Sequence, residues 1–277
     1  MLSVLIPANN EADRIGTCLQ AIFASDLARG QEVPEIIVMA NGCQDRTAAI
    51  CNEAETLAWE KGWRLTVLEL QEGNKLKALN AGDAAARFGT RIYLDADVVV
   101  SPQVIPQLHK VLATDAPCYA SGTLVVAPCQ TWISRAYRRI YVQVPFITEG
   151  VPGCGLFAVN AAGRARWAAF PDIISDDTFV RLQFTPKERV AVPAPYEWPI
   201  VEGLANLIKV RARQDRGVRE IASKYPELLQ NDDKPAFGKM RALKMALFDP
   251  IGFAVYAGVA LASRRQRAQN QTWSRGR

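Results

Sequence analysis

Arg91-Ile92-Tyr93-Leu94-Asp95-Ala96-Asp97-Val98-Val99-Val100 places two carboxylates two residues apart at the end of a short apolar run. The run reads as a buried strand, and carboxylates are rarely buried unless they are paired or bind a metal. Mg²⁺ and Mn²⁺ are commonly held by one or two carboxylates together with phosphate oxygens. The partner implied for Asp95 and Asp97 is therefore a divalent cation carrying a diphosphate. The plainer reading is a solvated turn, against which the apolar residues on both flanks argue. A D-x-D tripeptide arises by chance in long chains, so the rest of the sequence has to decide.

Working outward, Leu2 to Ile6 predicts a strand ended by Pro7, and Asn9 to Asp13 opens a helix with Ile15, Leu19, Ile22 and Phe23 on one face. Glu35 to Met39 reads as a second strand, ended by Asn41-Gly42, and Ala48 to Trp59 as a helix. Leu65 to Leu70 is a third strand, Lys75 to Arg87 a helix, and Arg91 to Leu94 a fourth strand. Strands alternating with helices imply βαβ units and a mostly parallel, Rossmann-like sheet flanked by helices, an α/β fold. Ligands bind beyond the carboxyl ends of such strands. Pro7–Asp13, Asn41–Thr47 and Asp95–Asp97 each follow a strand, so they are expected to converge.

Further along, Tyr119 to Ala127 predicts a strand, and the glycine-rich Val151–Gly155 feeds another through Val159. Thr178 to Phe184 reads as helical, Val190 to Pro195 as a strand, and Leu204 to Lys224 as a basic helix, before a linker at Asn231–Pro235. The prolines Pro186, Pro193, Pro195 and Pro199 suggest a loop able to fold over a site. Met245 to Ala262 is apolar but holds Asp249 and Pro250; its uninterrupted part, Ile251 to Ala262, is shorter than the roughly 20 residues that span a bilayer. Lys239, Arg241 and Lys244 precede it, and Arg264, Arg265, Arg267, Arg275 and Arg277 follow. An apolar helix between cations can lie at a membrane interface or can cover the core.

The 277 residues carry a net charge of +5 and are 49% hydrophobic, as expected of a globular chain with a full core. The six cysteines form no C-x-x-C pair, and the chain opens at Met1 on a strand with no leader pattern, so reduced thiols in the cytoplasm are expected. The single histidine, His109, disfavours histidine-based triads and zinc sites.

With these residues placed, the chain resembles the family 2 glycosyltransferases of GT-A fold over roughly residues 2 to 220. Val4-Leu5-Ile6-Pro7-Ala8-Asn9-Asn10-Glu11 is similar to that family's opening strand and P-x-x-N-E turn. Ile36 to Thr47 resembles its second strand and D-x-T helix start, and Asn74-Lys75-Leu76-Lys77-Ala78-Leu79-Asn80-Ala81-Gly82 its G-K-x-x-A-L-N-x-G segment. Asp95-Ala96-Asp97 resembles its D-x-D, Ser175-Asp176-Asp177-Thr178 its E-D pair, and Arg211 to Gly217 its R-x-R-x-x-R-G segment. The resemblance implies a metal-dependent, inverting transfer from a nucleotide sugar. Pro7, Asn9, Glu11 and Asn41 would line the nucleoside pocket, with Glu11 on ribose and Lys75 near the nucleotide. Asp95 and Asp97 would hold nucleotide and Mn²⁺ or Mg²⁺, Asp97 as the more direct ligand. Asp177, with Asp176 beside it, would be the base, and Arg213 or Arg216 would close over the diphosphate.

Two departures stand out. Ala40 occupies a place where many members carry an Asp that contacts uracil, leaving the Asn41 amide to read a base edge. A UDP-sugar is the first expectation and a GDP-sugar the second. The Q-x-x-R-W motif of processive synthases is absent, which favours one sugar per encounter.

Each candidate has a plainer counterpart. Asp176 and Asp177 could simply begin a helix, one of them as N-cap. Asp45 is read as a helix N-cap and Asn41-Gly42 as a turn that is also a pocket wall. Gly153 and Gly155 relieve backbone strain or form a wall approached by a sugar. Trp132, Trp167 and Trp198 are core or sugar-stacking. Expected organisation is a nucleotide-sugar half at 1–100, an acceptor half at 101–230, and a basic helical, amphipathic extension at 231–277. The acceptor expected is a glycan or lipid-linked precursor, of the kind used in cell-envelope or exopolysaccharide synthesis, reached by a peripheral protein on the inner membrane face. No nucleic-acid partner is expected. The alternatives are a nucleotidyltransferase of similar fold, disfavoured because Pro7–Asp13 lacks glycine, and a catalytically silent nucleotide-sugar-binding module.

Overall fold

The computed structural model describes residues 1–26 and 33–266. By its internal contacts the chain divides into two compact units. The first comprises Met1–Val125, Gly153–Asp172 and Gln183–Trp198; the second comprises Val126–Pro152, Ile173–Leu182 and the chain from Pro199 onward.

The first unit is built on β1 (Leu2–Ala8), α1 (Ile15–Phe23), β2 (Glu35–Asn41), α2 (Thr47–Glu53), α3 (Glu55–Glu60), β3 (Arg64–Leu70), α4 (Lys75–Ala85) and β4 (Thr90–Leu94). These are followed by β5 (Val99–Val100), α5 (Val104–Leu112), β6 (Tyr119–Val126), β7 (Leu156–Val159), α8 (Ala161–Arg164) and β8 (Arg189–Trp198). Among the described residues the strands form one sheet in the order β3-β2-β1-β4-β7-β6-β8-β5. The first four are parallel, and β7 joins β4 antiparallel. Burial on both faces explains the unbroken apolar runs: every residue of β2 is buried, and β1 is buried at all positions but Pro7. The alternation of α and β read from the sequence is thus the fold observed.

β1 is flanked by β2 on one side and β4 on the other, so the chain direction across the sheet reverses at β1. That is the topological switch point at which open α/β sheets bind ligands. The expected single helix over 48–59 is two, broken at Ala54. Pro193 and Pro195 lie inside β8, where a strand was read over Val190–Pro195, and not in a loop that could fold over a site. β8 pairs on one side only with the two-residue β5, so its prolines sit where few ladder donors are needed.

The second unit is helical: α6 (Trp132–Tyr141), α7 (Pro145–Thr148), α9 (Asp176–Arg181), α10 (Leu204–Lys224), α11 (Lys239–Phe248) and α12 (Pro250–Gln266). The continuous segment expected over 245–262 is divided between two helices at Asp249-Pro250. Tyr256 of α12 packs against Tyr137 of α6 with ring centroids 5.3 Å apart and lies 3.4 Å from Arg211 of α10. Val259 and Ser263 are buried, so one face of α12 covers this unit's own core. Arg264 and Arg265 end α12; Arg267, Arg275 and Arg277 lie outside the described residues. Among the described residues no helix is long and apolar enough to cross a membrane.

Candidate active site

In the first unit, the turns after β1 and β2 are sewn together. The Asn9 amide donates to the Asn41 carbonyl and, at 3.3 Å, to that of Gly42. Asn10, in the left-handed region at φ 56°, accepts from the Gln44 amide at 2.8 Å. The Glu11 amide donates to the Thr47 hydroxyl at 2.8 Å, and the Ala12 amide to Asp45 at 3.1 Å. Asp45 also accepts from the Thr47 amide at 3.0 Å, but the N-cap of α2 is Arg46, so Asp45 stands one residue before the cap position read for it from the sequence. Burial pushes the Asp45 carboxyl up, but the Thr47 donors outweigh it and hold the group below its ordinary value.

Asn41 is corrected. Its amide nitrogen donates to the Ala8 carbonyl at 2.8 Å and to that of Met39 at 3.1 Å. The side chain is buried at the end of β2 and its two donors serve backbone, so it does not offer a donor-acceptor pair to a base edge.

Asp95 and Asp97 follow β4 at the same carboxyl edge. The Asp95 amide donates to the Gly155 carbonyl at 2.8 Å. Lys75, the first residue of α4, sets its ammonium 2.9 Å from the Asp95 carboxylate; Asn74 caps that helix by accepting from the Leu76 and Lys77 amides. Arg14 stands 3.4 Å from Asp97, whose side chain is only 5% exposed. Sequence reasoning passed over Arg14, which lies 83 positions from its partner; only the D-x-D pattern hinted that a cation was needed. Beneath them, burial and then the Asp97 charge drive the Cys18 thiol far above its ordinary value, so it stays protonated and inert.

Do these residues suit a divalent ion? Among the described residues no group of three or more acidic, cysteine or histidine side chains forms a cage. Two neighbouring carboxylates are nonetheless the protein share of a site whose remaining oxygens come from phosphates. The donor set fits an ion arriving with a diphosphate.

Gly153 and Gly155, read as strain relief or as a wall near a sugar, have a backbone and packing reason to be glycine. Gly155 has φ 70°, and a Cβ there would stand 2.5 Å from the Trp198 ring and 2.9 Å from Val98. Trp198 is thereby committed to this turn, and Trp167 is buried, while Trp132 is exposed.

In the second unit, α9 starts at Asp176 with Ser175 as N-cap, so neither aspartate is the cap; both occupy the first turn, where the helix dipole favours negative charge. Asp176 is buried. Asp177 is half-buried and accepts from the Thr178 amide at 2.6 Å. The Ile174 amide donates to Glu220 of α10 at 2.8 Å, and a Cβ on Gly217 would overlap the Ser175 hydroxyl. Gly217 of the R-x-R-x-x-R-G segment is therefore what lets α10 approach the start of α9. Arg213, Gly217 and Glu220 recur at helical spacing, with Arg216 beside them, and both arginines are half-buried. Arg211 turns instead to Tyr256.

The parallel part of the sheet thus brings opposed carboxylates and cations together at its switch point. Residues 3–164 match the glycosyl transferase family 2, more than half of the chain. The chain belongs to this family and is a glycosyltransferase. Its fold is similar to that of a mannosyltransferase from Pyrobaculum calidifontis solved with GDP-Man and Mn²⁺: TM-score 0.60, 19% identity, 98% of this chain and 76% of that one. S. aureus TarS 1–349 is similar at TM-score 0.54 and 14% identity, over 99% and 93% of the two chains. Glucosyl-3-phosphoglycerate synthase from Mycobacterium tuberculosis, solved with Mn²⁺, UDP and glucosyl-3-phosphoglycerate, is similar at TM-score 0.50 and 18% identity, over 80% and 79%. These likenesses confirm the GT-A architecture. No curated protein sequence matches the chain.

Proposed function

We propose that this glycosyltransferase moves a sugar from a nucleoside diphosphate to an acceptor hydroxyl with inversion, in a metal-dependent reaction. One observation carries the reading: Asp95 and Asp97 meet Lys75 and Arg14 at the switch point of the sheet. Asp97 and Asp95 are the residues that would hold Mn²⁺ or Mg²⁺ against the donor diphosphate. With the cation bound, the leaving diphosphate is neutralised by Lewis-acid chemistry. Pro7, Asn9 and Glu11 line the nucleoside side, and Lys75 and Arg14 exchange carboxylate for phosphate as the donor enters. Arg213 or Arg216 adds forked donors to the diphosphate. Asp177, more exposed than Asp176, takes the proton of the acceptor hydroxyl.

A UDP-sugar is the first donor expected and a GDP-sugar the second; solved structures of similar fold carry both kinds of nucleotide. Since the Asn41 amide serves backbone, other groups read the base. Residues 1–100 supply the donor side and 101–230 the acceptor side. The acceptor is a lipid-linked or glycan precursor of the cell envelope, reached with residues 231–277 at a membrane surface.

Thermal-shift titration with UDP- and GDP-sugars in Mn²⁺, followed by assay of nucleotide release, tests this. A ligand at a hundredfold its Kd adds about 2.7 kcal/mol of stability. Stabilisation by one class that disappears with a chelator is expected. No response to either class, or an unchanged response without metal, overturns the reading.

A further inference from the structure

α11 is amphipathic in the inverse sense. Met245 is buried, and Arg241 is tied down at 2.7 Å from Glu149 and 3.2 Å from the Thr148 hydroxyl. The remaining face carries Met240, Leu243 and Leu247 at positions i, i+3 and i+7, with Phe248 beside them and Ile251 just past the corner. Leu247 is 73% exposed, Met240 70% and Phe248 89%. Single exposed apolar residues are ordinary, but a contiguous stripe marks an interaction surface.

The corner that presents this stripe is held firmly. Asp249 accepts from Arg139 at 2.6 and 2.9 Å and from the Gly252 amide at 2.8 Å, capping α12 while pinning the bend to α6. A Cβ on Gly252 would fall 2.7 Å from the Asp249 carboxyl carbon, so the glycine permits the tight corner. Phe248 and Ile251 project on either side of it.

We propose that this α11 face docks on an anionic lipid surface. The observations choose among occupants. Lys239 and Lys244 are exposed and, at helical spacing, flank the apolar stripe on its two edges, and α11 contains no acidic residue. A second copy meeting this face would oppose lysine with lysine. The segments of chain outside the described residues, 27–32 and 267–277, hold no apolar run with which to cover it. Lipid satisfies both chemistries. Apolar side chains enter the acyl boundary, and the lysine stems lie along it with their ammonium groups among phosphates. The surface is thus α11 and the corner, whereas the more apolar α12 packs inward. The proposal deepens the lipid-borne acceptor reading and rests on it for the acceptor's location.

The test is flotation of the full chain with phosphatidylcholine vesicles, alone or mixed with phosphatidylglycerol. Flotation with the anionic vesicles at low salt, weakened by high salt, is expected. Leu247→Glu with Phe248→Glu should reduce partition by about tenfold or more, since each removes a large apolar side chain from lipid. Both sites are solvent-facing, so unfolding is not expected, and circular dichroism checks it. Lys239→Gln with Lys244→Gln should remove the preference for anionic lipid while leaving the fold unchanged. Flotation unaffected by the glutamates overturns the proposal. So does a wild-type chain that ignores vesicles, or one that is a dimer in solution split by Phe248→Glu. Vesicle-free assays of donor binding and nucleotide release should be unchanged in the glutamate variant. Failure of those assays in the wild type would count against the transferase reading alone.

Discussion

The backbone amide of Asp95 is held at 2.8 Å by the carbonyl of Gly155, a residue 60 positions later in the chain. The orientation of the D-x-D turn therefore depends on a glycine turn at the start of β7, and that turn has φ 70° with Trp198 and Val98 closing around it.

Gly155→Ala is expected to destabilise the protein by about 1–3 kcal/mol, the cost of a non-glycine residue in a sparsely populated backbone region. The new methyl would also displace Trp198. Donor affinity should fall with stability, because the Asp95 amide loses its anchor. Thermal melting and nucleotide titration check both; a variant as stable as wild type would mean that the turn relaxes without strain.

Asp97→Ala should leave the fold intact, because Arg14 is half exposed and remains hydrated when its partner goes. Mn²⁺-dependent affinity for the donor should drop by about a hundredfold, since Lewis-acid contacts are worth several kcal/mol. Calorimetry with and without Mn²⁺ measures it. An unchanged metal dependence would move the cation elsewhere.

Asp177→Asn should keep donor affinity and lose transfer by roughly 10²–10⁴-fold, the usual contribution of a general base. Asp176→Asn, at a buried position, should act mainly on stability. If Asp176→Asn shows the larger rate loss at full stability, the two roles are exchanged.

Glu188 provides a pH prediction. The Arg166 guanidinium, 2.5 Å away, holds its carboxyl down to about 2 from 4.5. A depressed carboxylate stabilises the folded state above its unfolded value and loses that contribution as pH falls through the folded one. The stability gap between wild type and Glu188→Gln should thus be constant above about pH 4.5 and close between there and pH 2. Urea unfolding at stepped pH reads the gap; a gap that persists at pH 2 would contradict the pairing.

Much of this protein was legible in its residues. The β1–β4 alternation, the parallel core and the convergence of three polar turns follow from local signals: apolar runs of strand length, helical periodicity, and Asn-Gly or Pro at the ends. The D-x-D at a strand end was visible for the same reason. The split at Ala54 and the continuation of the Val190–Pro195 strand to Trp198 were not, because short-range propensity does not say where a helix breaks or which strand borders a two-residue neighbour.

The sequence by itself determined the strand–helix alternation of the first hundred residues and the family, and it singled out Asp95 and Asp97 as candidates, since each is written in residues close together in the chain. Only the tertiary structure decided that Arg14 faces Asp97, that Asn41 turns its amide into the sheet, and that Gly217 exists to admit Ser175. It also decided that α12 faces inward while α11 shows its apolar side to solvent. These outcomes depend on burial and on partners tens of residues away. Hydrophobicity shows that a side chain favours leaving water; only packing shows whether the fold has room for it.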